Sequence, residues 1–93
     1  MKPRFRLGEL VESTAGRDSG KHYLVVGIID EKHVELADGD KKKINKAKKK
    51  NMKHIRSTGF IDKELSIWLL NGKRVRNEDL KKCLKDYENK EAK

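Results

Sequence analysis

"HYLVVGIIDEKHVELADGD" (residues 22–40) decides how the rest of the chain is read. Its first eight residues are a nearly unbroken β-branched and aromatic run, which suits a central strand buried on both faces. Gly27 inside that run predicts a bulge or sharp bend. "DEK" (30–32) is short enough for a hairpin connection. "HVELA" (33–37) alternates, with Val34 and Leu36 on one face and His33, Glu35 and Ala37 on the other. Asp38-Gly39 is the pair favoured in a two-residue hairpin turn, and it predicts reversal straight into Lys41.

Working outward, "GELVEST" (8–14) mixes Leu10 and Val11 with polar neighbours, as a half-buried strand does. "AGRDSGK" (15–21) carries Gly16 and Gly20 around polar residues and reads as a tight loop. Downstream, "KKINK" (42–46) and "NMKHI" (51–55) read as two further short strands joined by a turn at "KAKKK" (46–50). Lys50, Met52 and His54 would then share one side of an extended segment, and Asn51, Lys53 and Ile55 the other. Five short strands with tight turns predict a small β-barrel.

After "STG" (57–59) the period changes. Ile61, Leu65, Trp68 and Leu69 form a helical stripe, with Asp62 and Glu64 at its start and Gly72 as its stop. Asn77 is the expected N-cap of a second helix, whose stripe is Leu80, Cys83, Leu84 and Tyr87. "GKRVR" (72–76) joins the two, and "YENKEAK" (87–93) reads as disordered. The expected fold class is β-rich α+β: a five-stranded barrel over 1–57, followed by a two-helix extension over 58–93 packed on it.

The 93 residues are 34% hydrophobic and 42% charged, which leaves room for one compact core. The net charge is +9, and its location says more than its size. Residues 1–40 sum to −2, residues 41–56 to +9 and residues 57–93 to +2. The whole excess therefore sits in one segment, at a strand turn rather than in a tail. Ile44, Met52 and Ile55 peg that segment to the core. A basic surface fixed in this way suits contact with phosphates, which positions a nucleic acid without reading its sequence. The single cysteine, Cys83, makes no internal disulfide and fits a reducing compartment. No signal peptide or membrane span is evident, so a soluble, cytoplasmic protein is expected.

The segment "STAGRDSGKHYLVVGIIDEKHVELADGDKKKINKAKKKNMKHI" (13–55) resembles the KOW-type ribosomal proteins of the archaeal and eukaryotic large subunit. It also resembles the bacterial free-standing KOW-domain RNA-binding proteins. The matching points are Ala15-Gly16-Arg17-Asp18, Gly20, Leu24–Ile29 with Gly27, Asp30, Ala37-Asp38-Gly39-Asp40 and Lys53-His54. Together they span roughly residues 7–56. Ser19 stands where many KOW motifs place a lysine, which implies a weaker phosphate grip there. Residues 60–93 match much less well. The resemblance implies an SH3-like barrel that binds RNA, probed most naturally as large-subunit ribosomal RNA, through the first loop and the basic segment.

The residues expected to contact RNA are Arg17, Lys21, His22, Lys41, Lys42, Lys43, Lys46, Lys48, Lys49, Lys50, Lys53, His54 and Arg56. Gly16, Asp18, Gly20, Asp38 and Gly39 shape the supporting turns. The alternative for the Gly16–Gly20 loop is an ordinary hairpin turn with Asp18 bonded to its own backbone. Trp68, Tyr87 and Cys83 lie on apolar stripes and read as core. His22, His33 and His54 lack metal-ligand spacing, so no metal or cofactor is expected. Ser13, Ser19, Ser57 and Ser66 lack a nucleophile elbow, and there is no Gly-Lys-Ser/Thr phosphate loop, so no enzyme is expected. The expectation is a non-enzymatic ribosomal or ribosome-associated protein, monomeric when free. The rival readings are a protein-binding barrel, with a partner at the C-terminal helices, and a KOW-type transcription factor.

Overall fold

A computed structural model of the chain describes residues 4–91. Five strands form one antiparallel sheet: β1 (Glu9–Ser13), β2 (His22–Ile28), β3 (His33–Ala37), β4 (Lys48–Asn51) and β5 (Ile55–Ile61). Their spatial order is β4-β3-β2-β1-β5, so the apolar run at 22–28 is the central strand. Two helices follow, α1 (Lys63–Leu70) and α2 (Asn77–Glu91).

Alternation along the strands feeds two cores on opposite faces. Val11, Tyr23, Val25, Val34 and Leu36 point to one side and pack with Phe5, Met52 and Ile55. Leu10, Leu24 and Ala37 point to the other and pack with Leu65, Val75, Leu80, Cys83 and Leu84. Each fully buried Leu or Val contributes about 1.5–3 kcal/mol of transfer free energy. The helices share the second core with the sheet, and β5 runs through residues 55–61. The expected boundary between 57 and 58 therefore falls inside a strand.

The bulge at Gly27 is present: between Val25↔Leu36 and Gly27↔Glu35, β2 advances two residues and β3 one. A larger offset bends β5, where Glu9↔Ile61 and Val11↔Ser57 leave β1 advancing two residues and β5 four. The Thr58 hydroxyl fills part of that offset by donating to the Leu10 carbonyl at 2.7 Å.

The basic segment departs from expectation. "KKINK" and "NMKHI" are not strands: Ile44–Lys46 and Met52–His54 are 3₁₀ turns, and the strand between them is Lys48–Asn51. Asp38-Gly39 does turn the chain, with the Asp38 and Gly39 amides both donating to the Lys42 carbonyl. The connection then continues to Ala47 before β4 pairs Lys48 with Leu36. The reason is local packing. Ile44 reaches the second core, and its amide donates to Asn77 Oδ1 at 2.8 Å, so the chain detours toward α2 before rejoining the sheet.

The first helix opens as expected, with Asp62 Oδ1 accepting from the Leu65 amide at 3.0 Å. Ile61 belongs to β5 rather than to the helix. Asn77 is not the cap of α2. The Arg76 carbonyl accepts from the Asp79 and Leu80 amides, while Asp79 reaches back to the Arg76 amide at 2.9 Å, one half of a capping box. "YENKE" is helical rather than disordered. Tyr87 packs between His22 and Phe60 at ring distances of 5.5 and 5.7 Å, and Lys90 sits over Phe60, which holds the last turns down. Residues 92 and 93 lie outside the described residues.

Candidate nucleic-acid interface

The loop between β1 and β2 is closed at its base by two backbone bonds, from the Ser13 amide to Lys21 and from the Gly20 amide to Ser13. Gly20, at φ 90°, makes the left-handed turn that this closure requires. Within the loop the Ser19 amide donates to Gly16 and the Lys21 amide to Asp18. The Asp18 side chain is not bonded to its own backbone. It is 9% exposed, and its carboxylate accepts from Ser13 Oγ at 2.8 Å, Lys48 Nζ at 2.7 Å and Lys50 Nζ at 3.2 Å. Burial alone would raise its pKa, but the hydroxyl and the two ammonium groups outweigh that and hold the carboxyl far below the usual carboxylate range.

This arrangement sorts the basic residues. In β4, Lys48 and Lys50 lie opposite Leu36 and Val34, on the same face as the first core, and Asp18 meets them there. Lys50 is 10% exposed and also donates to the Ala15 carbonyl, so it is a structural cation and is removed from the set available to a ligand. Lys49 lies opposite Glu35 and is exposed. Arg56 pairs with Glu12 at 2.9 Å, a hydrogen bond that lowers the Glu12 pKa. His54 is half-buried, and its carbonyl accepts from the Thr14 amide. Lys53 is exposed in its 3₁₀ turn, as are Lys43 and Lys46 around theirs.

Five cations from three segments converge. Arg17 and Lys21 from the loop, Lys41 and Lys42 from the turn and Lys48 from β4 line a cleft of about 160 Å³, with Asp18, Tyr23 and Asp38. Burial, with the Asp18 and Asp38 carboxylates behind it, pushes the Tyr23 hydroxyl up to about 12, so it stays a neutral donor. A second, wider cleft of about 630 Å³ shares Lys21, Asp38 and Lys41 with the first. Its far wall is α2, which contributes Lys81, Leu84, Lys85 and Glu88, and His22 also lines it.

Lys81 and Lys85 were not anticipated from sequence. Their signal was present: they keep the four-residue spacing of the Leu80/Leu84 stripe, one position further round the helix. A separate cleft of about 210 Å³ between α1 and α2 is acidic, lined by Asp62, Glu64, Asp79 and Asp86 with Trp68 and Lys82. Cys83 also borders it, but burial pushes the thiol up to about 12, and Asp62 and Asp86 add to that shift, which leaves it unreactive as a thiolate. Among the described residues, no three of His, Cys, Asp and Glu are grouped to hold a metal ion, and no helix is long and apolar enough to cross a membrane.

No protein-family model matches the chain, and no curated protein matches it either.

Proposed function

We propose that this protein is a non-enzymatic RNA-binding module of the KOW type, associated with the large ribosomal subunit, in which the curved sheet acts as an SH3-like barrel. One observation carries the reading: the Gly16–His22 loop and the basic segment, far apart in sequence, line the same cleft with five cationic side chains against two acids. One of those acids, Asp18, is paired with Lys48, itself one of the five, and with Lys50. A concave, net-positive seat on a rigid sheet suits a phosphate backbone, and the exposed Lys43, Lys46, Lys49 and Lys53 extend the positive field around it. The barrel reading is supported by the two register offsets and by the Thr14–His54 backbone bond, which draws the end of β1 over the 3₁₀ turn before β5.

Binding of a structured ribosomal RNA hairpin, measured over a salt series, tests this directly. The expected log–log slope corresponds to release of counterions from about 4–6 phosphates, with duplex DNA competing poorly. Equal competition by duplex DNA would favour the transcription-factor reading. Binding of neither nucleic acid at low salt would remove the RNA reading altogether.

A protein partner at the helices is the second reading, favoured by Ile67 and Leu70 of α1, which are 56% and 70% exposed. Retention of a specific ribosomal protein in high salt, lost in I67S/L70S, is its expected signature.

A further inference from the structure

We infer that the wide cleft between α2 and the β1–β2 loop receives an unpaired nucleotide, with Lys81 and Lys85 as its second basic wall. This rests on the RNA-binding reading above and extends it to a class of RNA: a helix interrupted by a bulged base, rather than a continuous duplex.

The narrow cleft has the composition of a phosphate seat, whereas the wide one does not. Four lysines (Lys21, Lys41, Lys81 and Lys85) stand against three carboxylates, Asp38, Asp40 and Glu88. The Asp38 carboxylate is engaged in its turn, accepting from the Asp40 and Lys42 amides at 2.9 Å each. Asp40 and Glu88 are exposed and make no side-chain bond among the described residues. A cleft for phosphate alone gains nothing from those two acceptors. A nucleobase edge does, because its exocyclic amine needs an acceptor, as carboxylates supply to cytosine. Leu84 and the ring of His22 add an apolar and aromatic lining, and Tyr87 packs against that ring at 5.5 Å. The cleft is open to solvent, and its volume of about 630 Å³ has room for a base.

Both walls are held in fixed relation. A Cβ at Gly39 (φ 79°) would collide with the Asn77 carbonyl oxygen, so only glycine lets the 38–42 turn lie this close to the start of α2. The Asn77 side chain ties the same turn through the Ile44 amide. Lys21 and Lys41 line both clefts, so the two adjoin and one strand can contact both. Bulged, unstacked bases are the usual targets of specific RNA recognition, because duplex RNA hides its base edges.

The test uses the full chain and two RNA hairpins that differ only by one bulged adenosine or cytidine, with affinities measured by fluorescence anisotropy. Wild-type protein should bind the bulged hairpin about tenfold more tightly, the effect of seating one base. K81Q/K85Q should lose that preference. K63Q/K82Q, with the same charge change on exposed lysines that line neither of these clefts, should keep it. Circular dichroism of both variants guards against misfolding. Equal wild-type affinity for the two hairpins overturns the inference and leaves the RNA reading standing, as does a preference untouched by K81Q/K85Q. Failure to bind either hairpin overturns the RNA reading itself.

Discussion

The lysines at 41–46 and the pair Lys48 and Lys50 have the same chemistry and are almost adjacent in sequence, yet the fold uses them in opposite ways. Lys41, Lys42, Lys43 and Lys46 stand exposed on a turn and around a 3₁₀ segment. Of their ammonium groups only that of Lys43 makes a bond among the described residues, a long one of 3.5 Å to the Gly39 carbonyl. Lys48 and Lys50 point to the core side of an edge strand and converge on a buried carboxylate from a loop 30 residues earlier. A run of like charge is therefore two devices: an external electrostatic surface, and an internal clamp that holds the β1–β2 loop beside β4. The clamp also shapes the surface, because Asp18 and Lys48 line the narrow cleft together with Arg17, Lys41 and Lys42.

The largest effect that could break this distinction is removal of Asp18. D18A leaves Lys48 and Lys50 facing each other beside Ser13 without a counter-charge, and stability measured by chemical denaturation should fall by about 3 kcal/mol. K41Q/K42Q should shift it by no more than about 0.5 kcal/mol, as exposed substitutions do. Equal effects from the two would mean that the clamp is ordinary surface.

Neighbouring positions sharpen the comparison further. K50Q removes a nearly buried ammonium that bonds both Asp18 and the Ala15 carbonyl, and it should cost about 2 kcal/mol. K49Q, one residue away and on the opposite face, should cost under about 0.5 kcal/mol.

Acid titration probes the same clamp. Because the pKa of Asp18 is depressed in the fold, its stabilisation is complete above the unfolded carboxylate value of about 3.9. That stabilisation is lost as pH falls through the lower folded value. The wild-type Tm should drop steeply below about pH 4, and D18N should flatten that drop. A smaller slope should remain from Glu12, held low by Arg56, and Asp30, held low by the Lys32 amide and His33.

A smaller effect than loss of the clamp lies at the junction of turn and helix. N77A removes the acceptor for the Ile44 amide and should cost about 1 kcal/mol. Its helix content by circular dichroism should be unchanged, since Asp79 rather than Asn77 supports the start of α2.

These contrasts also mark where the sequence was readable. The first three strands and both helices carry strong apolar periodicity, and Leu10/Val11, Tyr23/Leu24 and Leu36/Ala37 divide between the two cores as alternation demands. Between 41 and 56 the pattern has only Ile44, Met52 and Ile55 to hang on, and lysine suits strand edge, turn and 3₁₀ segment alike. The strand and turn assignments there came out exchanged for that reason. β5 was missed because "IRSTGFI" breaks its alternation at an offset centred on Thr58–Phe60, which looks like a linker until β1 is laid beside it. The convergence of the loop and the basic segment was expected only through family resemblance. The roles of Asp18, Asn77, Lys81 and Lys85 depend on contacts between distant segments, and no local pattern encodes those.

The central claim is that the exposed half of the basic run faces RNA phosphates while the clamped half supports the fold. Salt-dependent RNA binding by K41Q/K42Q, with Tm measured on the same samples, tests it most directly. The account predicts an unchanged Tm and a log–log salt slope lower by nearly 2, one counterion set for each lysine. An unchanged slope, or a Tm that falls along with affinity, would contradict it.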